Sequence, residues 1–190
     1  YPDIARNPDY TAVVNARHYQ RLQGYLDDAR GKGARLLVLA EGSGCEASRR
    51  LPPTLILDPN DSMRVMQDEI FGPLLPVLTY EHIDEAIDYV NRGERPLGLY
   101  YFGDSRDEER RVLDRTVSGG VTVNDVLFHG AAEELPFGGI GPSGMGAYHG
   151  RAGFDAMSKA LPVLWQPRRA GSDLLKPPYS RVAKFIDFII

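Results

Sequence analysis

The sequence has 190 residues, of which 43% are hydrophobic and 25% are charged, a composition typical of one globular domain or two small ones. Its formal net charge of -4 argues against a nucleic-acid-binding protein, because such proteins present a basic patch or stripe. A single cysteine excludes an intrachain disulfide and a cage of several cysteines around a metal, and no apolar run reaches the roughly 20 residues that span a bilayer.

The first half of the chain predicts a helix followed by three strands. Asn15 is placed to cap the helix, because its side chain can accept a hydrogen bond from a free amide of the first turn. Four consecutive apolar residues, Leu36 to Leu39, leave no polar face and predict a buried strand. Pro76 cannot donate to a sheet, so the third strand carries a bulge or lies at an edge. The predicted elements are a helix over 15–30 and strands over 36–39, 54–57 and 74–78.

The second half alternates strands with helices and then becomes rich in glycine and proline. The alternation between Leu74 and Val123 is typical of a parallel sheet with crossover helices, so the predicted fold class is α/β. From Asn124 to about Gly150 we expect a long unstructured connection, and such connections are usually functional because ordering them costs chain entropy. The predicted elements are helices over 82–91, 105–116, 151–159 and from 180, and strands over 97–102, 121–123 and 161–165.

Cys45 is the first candidate for a catalytic nucleophile, since the chain has no other cysteine. A catalytic thiolate needs a lowered pKa, whereas the carboxylate of Glu46 beside Cys45 raises a thiol pKa. Only Arg49 or Arg50 would compensate for that carboxylate. We therefore interpret Cys45 as an incidental loop residue and not as the nucleophile.

The four histidines show no H-x-x-x-H spacing, so the sequence predicts no metal site. We interpret His18 and His82 as surface residues of helices. His129 and His149 flank the glycine-rich connection, and they either line a cleft or are ordinary loop residues. Tyr148 either offers its hydroxyl to a substrate or hydrogen-bonds the loop backbone.

The run Gly139–Gly144 has the letters of the dinucleotide-binding motif G-x-G-x-x-G. That motif must join a strand to a helix, whose N-terminus then faces a pyrophosphate. No predicted strand comes directly before this run, and Gly144 and Gly146 disfavour a helix directly after it. We interpret the run as a backbone loop packed tightly under a pocket, with a phosphate site as the alternative.

The stretch Gln67–Pro73 places an acidic and an aromatic residue two positions apart, just before a Gly-Pro turn. In an extended segment, residues i and i+2 point to the same side, so Glu69 and Phe71 are expected to face one surface. A carboxylate suits hydroxyl groups, and a ring beside it suits a flat heterocycle. The alternative is a structural Glu69 that pairs with an arginine and a Phe71 that belongs to the core.

Three separated motifs resemble the aldehyde dehydrogenase superfamily in their order and spacing. They are Glu-Ile-Phe-Gly-Pro over 69–73, Ser-Gly-Gly-Val-Thr-Val-Asn-Asp over 118–125 and Leu-Pro-Phe-Gly-Gly over 135–139. The segments 15–22, 53–55 and 143–150 are similar to the class 3 branch, which includes fatty, aromatic and coniferyl aldehyde dehydrogenases. The resemblance covers nearly the whole chain.

The resemblance implies a domain organisation for the chain. Residues 1–158 would form the C-terminal part of the catalytic domain, with a mainly parallel sheet flanked by helices. Residues 159–167 would form a strand that joins subunits into a homodimer, and residues 168–190 a C-terminal tail. The cofactor domain and the segment with the nucleophile would lie upstream, so we expect a C-terminal fragment of a cytoplasmic enzyme.

The resemblance also implies an activity, the oxidation of aldehydes to carboxylic acids with NAD or NADP. A cysteine attacks the aldehyde, hydride passes to the nicotinamide, and water cleaves the resulting thioester. The nucleophile and the general base would be absent from this chain, which alone would be inactive. Glu69 would accept hydrogen bonds from the nicotinamide-ribose hydroxyls, and Phe71 would pack on the ribose and ring. The aldehyde pocket would involve Phe137, with His129 and His149 at its mouth and Tyr148 as an accessory active-site residue.

Two other functions remain open on the sequence. The chain is a non-catalytic module for partner binding or dimerisation, for which the apolar strand 161–165 offers a surface. Alternatively, it is a nucleotide-binding domain built on the glycine run, which requires NAD binding by these 190 residues alone.

Overall fold

A computed structural model of the chain describes residues 3–4, 6–40, 46–168, 171–172, 176–177, 179 and 182. Cys45 lies outside the described residues, as does most of the tail 168–190 with the helix expected from position 180. The chain divides into two compact units, Tyr1–Tyr89 and Val90–Ile190. No helix in the described part of the chain is long and apolar enough to cross a membrane.

The first unit packs one long helix against a three-stranded sheet. Strand β2 lies in the middle, antiparallel to β1 and parallel to β3, so that Leu37, Leu55 and Leu75 are neighbours across the sheet. A 3-10 helix over Arg64–Met66 leads towards β3. The elements are α1 (Ala16–Gly31), β1 (Arg35–Val38), β2 (Thr54–Leu57), β3 (Leu74–Val77) and α2 (Ile83–Arg92), the last of which crosses the boundary between the units.

Helix α1 begins where its sequence predicts. The Asn15 side chain accepts a hydrogen bond from the backbone N–H of His18 at 2.8 Å, which satisfies one free amide of the first turn. The apolar stripe of α1 faces the core of the unit, and each large side chain buried there contributes roughly 1.5–3 kcal/mol. The core comprises Tyr19, Leu22, Tyr25, Leu26, Ala29, Ala34, Leu51, Ile56, Met63, Val65 and Leu74.

The prediction of a buried strand at 36–39 is half wrong. The strand β1 exists, but Leu37, Val38 and Leu39 are about half exposed, and Leu36 packs against the core. The reason is that β1 lies at an edge of its sheet and only one of its faces is covered by α1. The edge position predicted from Pro76 is confirmed, because β3 forms the opposite edge.

The second unit contains the predicted alternation of strand, helix and strand. Strands β4 (Gly98–Tyr101) and β5 (Gly120–Val123) pair in parallel, with α3 (Arg106–Arg115) as the crossover between them. The remaining helices are α4 (Phe128–Ala131) and α5 (Gly150–Ala156). Within the described residues two of the three strand pairings are parallel, so the α/β class with a mainly parallel sheet is confirmed, although the strands form two separate sheets.

Two expectations for the second unit are corrected. The connection 124–150 is not unstructured, because it contains α4 and two backbone bridges, Phe137 with Tyr148 and Gly141 with Gly144. The predicted strand 161–165 forms no strand within this chain, and its large apolar side chains are exposed. A strand that pairs between subunits needs the edge of another chain, so the joining role of residues 159–167 stays a proposal.

Asp28 of α1 is expected to contribute to the stability of the first unit in a pH-dependent way. A hydrogen bond from Lys32 (2.8 Å), and next the backbone N–H of Arg64 (2.9 Å), hold the pKa of the Asp28 carboxyl below its ordinary value of 3.8. A lowered carboxyl pKa stabilises the fold above the unfolded-state value, and this contribution is lost as the pH falls through the folded-state pKa. Replacing Asp28 with Asn is therefore expected to destabilise the protein at pH 7, with a difference from wild type that shrinks below about pH 4.

Urea unfolding at pH 7 and pH 3 measures this effect. Asp27→Asn is the control, since the ion pair of Asp27 among the described residues is with the exposed Arg30 at 3.2 Å. A deficit of Asp28→Asn that stays the same at both pH values would contradict the role of the Asp28 charge.

Candidate functional site

Glu69 and Phe71 line the same cleft in the first unit. The cleft has a volume of about 970 Å³ and lies between the first turns of α1 and the segment 68–71. Phe71 is 76% exposed, and its backbone has a positive φ of 50°, which phenylalanine rarely adopts. The lining residues are Val14, Asn15, Arg17, His18, Gln20, Arg21, Tyr25, Arg64, Asp68, Glu69 and Phe71.

Within the described residues, the structure does not show the structural alternative for Glu69 and Phe71. Among the described residues no hydrogen bond or ion pair reaches the Glu69 carboxylate, so it is not the partner of an arginine. Arg21 instead donates to the backbone oxygen of Glu69. Phe71 is exposed and does not belong to the core. An unpaired carboxylate beside an exposed ring is available to a ligand that carries hydroxyl groups and a flat ring.

The segment 69–71 is held by side chains of α1. Arg21 donates to the carbonyl oxygens of Glu69 (3.0 Å) and Ile70 (2.7 Å), and His18 Nε2 lies 2.6 Å from the carbonyl oxygen of Phe71. His18 is therefore more than the surface residue expected from its position in the sequence. Sequence periodicity shows which face of a helix is apolar, but it does not show which polar side chain reaches a segment 48 or more residues away.

Tyr25, a residue of the core, contacts the Arg21 side chain that holds the segment 69–71. Its buried hydroxyl accepts from Arg21 at 2.5 Å and donates to Asp68 at 2.8 Å. Burial raises the pKa of the Tyr25 hydroxyl above 10.0, the hydrogen bond to Asp68 raises it further, and the charge of Arg21 partly opposes both. The hydroxyl therefore stays protonated at neutral pH and keeps donating to Asp68.

The other four predicted site residues form an aromatic cluster in the second unit. Phe137 and Tyr148 exchange two backbone hydrogen bonds of 2.9 Å, and their rings meet edge to face at 5.6 Å. His149 stacks on Phe137 with ring centroids 6.1 Å apart, and His129 lies 5.8 Å from the same ring. Phe137 is thus the centre of the cluster. The Nδ1 atom of His149 is buried and has no hydrogen-bond partner within the described residues.

His129 and Phe137 line a cleft of about 470 Å³. Tyr148, which is half-exposed, and His149 contact Phe137 but are not among the residues that line this cleft. The structure therefore brings all four residues together and places two of them in the cleft wall. The lining residues are Leu97, Gly98, Tyr100, Leu127, His129, Gly130, Ala131 and Phe137.

Two residues of this site were missed by sequence reasoning. Thr122 lies 2.7 Å from His129 Nδ1 through its hydroxyl, and Tyr100 packs at 5.9 Å from the His129 ring. The two are opposite each other in the β4–β5 register, which places both beside the imidazole. The pair Gly98 and Gly120 lies two positions earlier in the register. These glycines leave room for the His129 ring, since a Cβ on Gly120 would lie 2.5 Å from that ring.

The glycine run lacks the structure of a dinucleotide-binding motif. No strand precedes it and no helix follows Gly144 directly in this described part of the chain. Its backbone instead packs tightly against itself. Gly139 lies so close to Ser143 that a Cβ on Gly139 would be 2.1 Å from the Ser143 carbonyl oxygen. The interpretation of a tightly packed loop is confirmed. The described residues also contain no group of three or more His, Cys, Asp or Glu side chains that could hold a metal ion.

The comparisons with known proteins decide the family. A model of the aldehyde dehydrogenase family matches residues 2–161, which is most of the chain. The chain belongs to this family. It is 57% identical over 184 residues to a probable coniferyl aldehyde dehydrogenase of Caulobacter vibrioides, covering 94% of the chain and 38% of that relative. It is 44% identical over 180 residues to aldehyde dehydrogenase family 3 member A2 of Mus musculus, covering 94% of the chain and 36% of that relative.

Solved structures of aldehyde dehydrogenases share the fold. The substrate-bound AldH of Staphylococcus aureus matches 99% of this chain with a TM-score of 0.78 and 36% identity, over 40% of its own length. A Mycobacterium tuberculosis aldehyde dehydrogenase complexed with NAD+ matches 76% of this chain with a TM-score of 0.68 and 25% identity, over 30% of its own length. The class 3 resemblance is confirmed, and the chain spans less than two fifths of the curated relatives.

Proposed function

We propose that the complete protein that carries this chain is a class 3-like aldehyde dehydrogenase that oxidises aromatic aldehydes, coniferyl aldehyde among them, to carboxylic acids with NAD or NADP. The observation that carries the proposal is the Glu69 carboxylate, which no described residue pairs with, beside the exposed ring of Phe71. The 57% identity to a probable coniferyl aldehyde dehydrogenase supports the substrate class.

The residues of the first cleft fit the nicotinamide half of the cofactor. The Glu69 carboxylate has acceptor capacity for two ribose hydroxyls, and the face of Phe71 suits the ribose and the flat ring. When bound, the oxidised cofactor supplies the hydride acceptor of the reaction. The contribution of this chain is to orient that acceptor, because hydride transfer depends on correct placement of the reacting atoms.

The cleft of the second unit suits the aldehyde. Phe137 and Tyr100 present rings to it, Leu97 and Leu127 add apolar surface, and His129 is a polar group in its wall. Pockets of this kind bind a flat aromatic substrate by ring contacts and orient it with few polar groups. Tyr148 and His149 support Phe137 from outside the cleft, and we assign Tyr148 an accessory role on that ground.

The reaction needs parts beyond residues 1–190. We propose that the nucleophilic cysteine and the general base belong to other segments of the complete protein, and that Cys45 takes no part. The chain alone would then be inactive. The exposed apolar residues of 159–167 support pairing into a homodimer. From the family resemblance alone, we also propose that the enzyme is cytoplasmic.

Turnover of coniferyl aldehyde tests the proposal. The complete protein and its Cys45→Ser variant are expected to form reduced cofactor and the corresponding carboxylate at equal rates, whereas the 190-residue chain forms neither. Cys45→Ser is informative because serine keeps the size of the side chain but not the thiolate.

Other outcomes contradict parts of the proposal. Loss of turnover in Cys45→Ser would overturn the role assigned to that residue. If the complete protein oxidises no aldehyde with either cofactor, the catalytic proposal fails, and a non-catalytic partner-binding module fits better. The exposed apolar side chains of 161–165 are the observation that favours that module.

A further inference from the structure

We propose that Arg21, with His18 beside it, is a positioning residue that fixes the backbone from which Glu69 and Phe71 reach the cofactor. The inference rests on the proposed function of these two residues. Neither Arg21 nor His18 has to contact the cofactor in this role. They act by binding three consecutive carbonyl oxygens of the segment 69–71.

All five N–H donors of the Arg21 guanidinium have an acceptor. Nη1 donates to the Tyr25 hydroxyl at 2.5 Å and to the Glu69 carbonyl at 3.0 Å. Nη2 donates to the Glu69 carbonyl at 3.0 Å and to the Ile70 carbonyl at 2.7 Å. Nε donates to His18 Nδ1 at 3.2 Å. Such complete use of a planar fork fixes the orientation of the group and of every partner it binds.

His18 extends the same network by one residue. Because its Nδ1 accepts from Arg21, its proton lies on Nε2, which then donates to the Phe71 carbonyl at 2.6 Å. The Asn15 cap holds the backbone of His18 in the first turn of α1. The Phe71 carbonyl is thus held by His18, which is itself held by Arg21 at its ring and by Asn15 at its backbone.

The segment 69–71 needs this support because it has no regular secondary structure. Phe71 has a positive φ, a conformation that a phenylalanine keeps only when its surroundings hold it. Tyr25 anchors the network in the core, with the guanidinium carbons of Arg21 and Arg64 at 5.0 and 5.1 Å from its ring centroid. Arg21 therefore transmits the rigidity of α1 to the two exposed side chains.

A mutant cycle in the complete protein tests the proposal. Arg21→Gln is expected to raise the KM for the oxidised cofactor about tenfold, and Arg21→Lys as much, because lysine keeps the charge but not the fork. In a Glu69→Gln/Phe71→Ala background, where the positioned groups are gone, Arg21→Gln is expected to change KM no further. Arg30→Gln on the same helix is the control, since the exposed Asp27 is the ion-pair partner that the described part of the chain gives Arg30.

The outcomes separate this proposal from the proposed function. An equal loss from Arg21→Gln in both backgrounds, or full retention of affinity in Arg21→Lys, would overturn the positioning role. If the Glu69→Gln/Phe71→Ala variant itself binds cofactor normally, the proposed function of these residues fails instead. Amide hydrogen exchange without cofactor measures how firmly the backbone of the segment is held, independently of cofactor binding. Faster exchange over 69–72 is expected in Arg21→Gln, and unchanged exchange would contradict the positioning role.

Discussion

Replacing Gly139 with alanine is expected to destabilise the protein by about 3 kcal/mol and to weaken its use of aldehyde. The added Cβ would lie 2.1 Å from the carbonyl oxygen of Ser143 and 2.6 Å from the amide nitrogen of Gly144. Both are backbone atoms, which cannot rotate away as a side chain can. The loop must then open, and it lies between Phe137 and Tyr148, whose paired backbones place Phe137 in the wall of the cleft proposed for the aldehyde.

Thermal unfolding and the KM for coniferyl aldehyde measure the effect of Gly139→Ala. Gly31→Ala is the control, because a Cβ at Gly31 would meet nothing within 4 Å and alanine is favourable at a helix end. Wild-type stability and an unchanged KM for Gly139→Ala would mean that the loop moves freely. The closure of the glycine run would then have no part in shaping the pocket.

Replacing Glu69 with glutamine in the complete protein is expected to lower kcat/KM for the cofactor by about ten- to a hundredfold. A hydrogen bond to a charged acceptor contributes about 1.5–3 kcal/mol, and each 1.4 kcal/mol corresponds to a factor of ten. The neutral amide keeps one acceptor oxygen but loses the charge, so binding weakens and the nicotinamide is held less precisely. Stability should not change, because no described contact of the fold uses the Glu69 carboxylate.

Steady-state kinetics over a range of cofactor concentrations measures this loss. The control is Glu81→Gln, which removes the same charge from the exposed segment before α2, away from the lining of the first cleft. If Glu69→Gln and Glu81→Gln have equal and small effects, the loss comes from net charge alone and the assignment of Glu69 is wrong.

The sequence predicts the secondary structure well where local signals are strong. The Asn15 cap, the apolar stripe of α1 and the alternation from β3 to β5 all depend on residues close together in the chain. The exposure of Leu37 and Val38 is not predictable in this way, because burial depends on which elements cover a strand. The helix α4 was also missed, since only four residues form it within a glycine-rich segment.

The candidate site shows the same division. Motif spacing pointed to Glu69 and Phe71 together, and both line one cleft, although Phe71 has a positive φ and the segment is not simply extended. The contact of Arg21 with Glu69 and Ile70 joins residues 48 and 49 positions apart, and no local sequence pattern predicts it. Long-range polar contacts of this kind follow from tertiary packing.

The most direct test uses a cofactor analogue that lacks the hydroxyls of the nicotinamide ribose. Removing these hydroxyls is expected to weaken binding to the complete wild-type protein about tenfold or more, but to change the affinity of Glu69→Gln far less, because the hydrogen-bond partner is already altered. Calorimetric titration of both proteins with both cofactors gives the four binding constants. An equal penalty for the analogue in wild type and Glu69→Gln would contradict the claim that Glu69 binds the ribose hydroxyls.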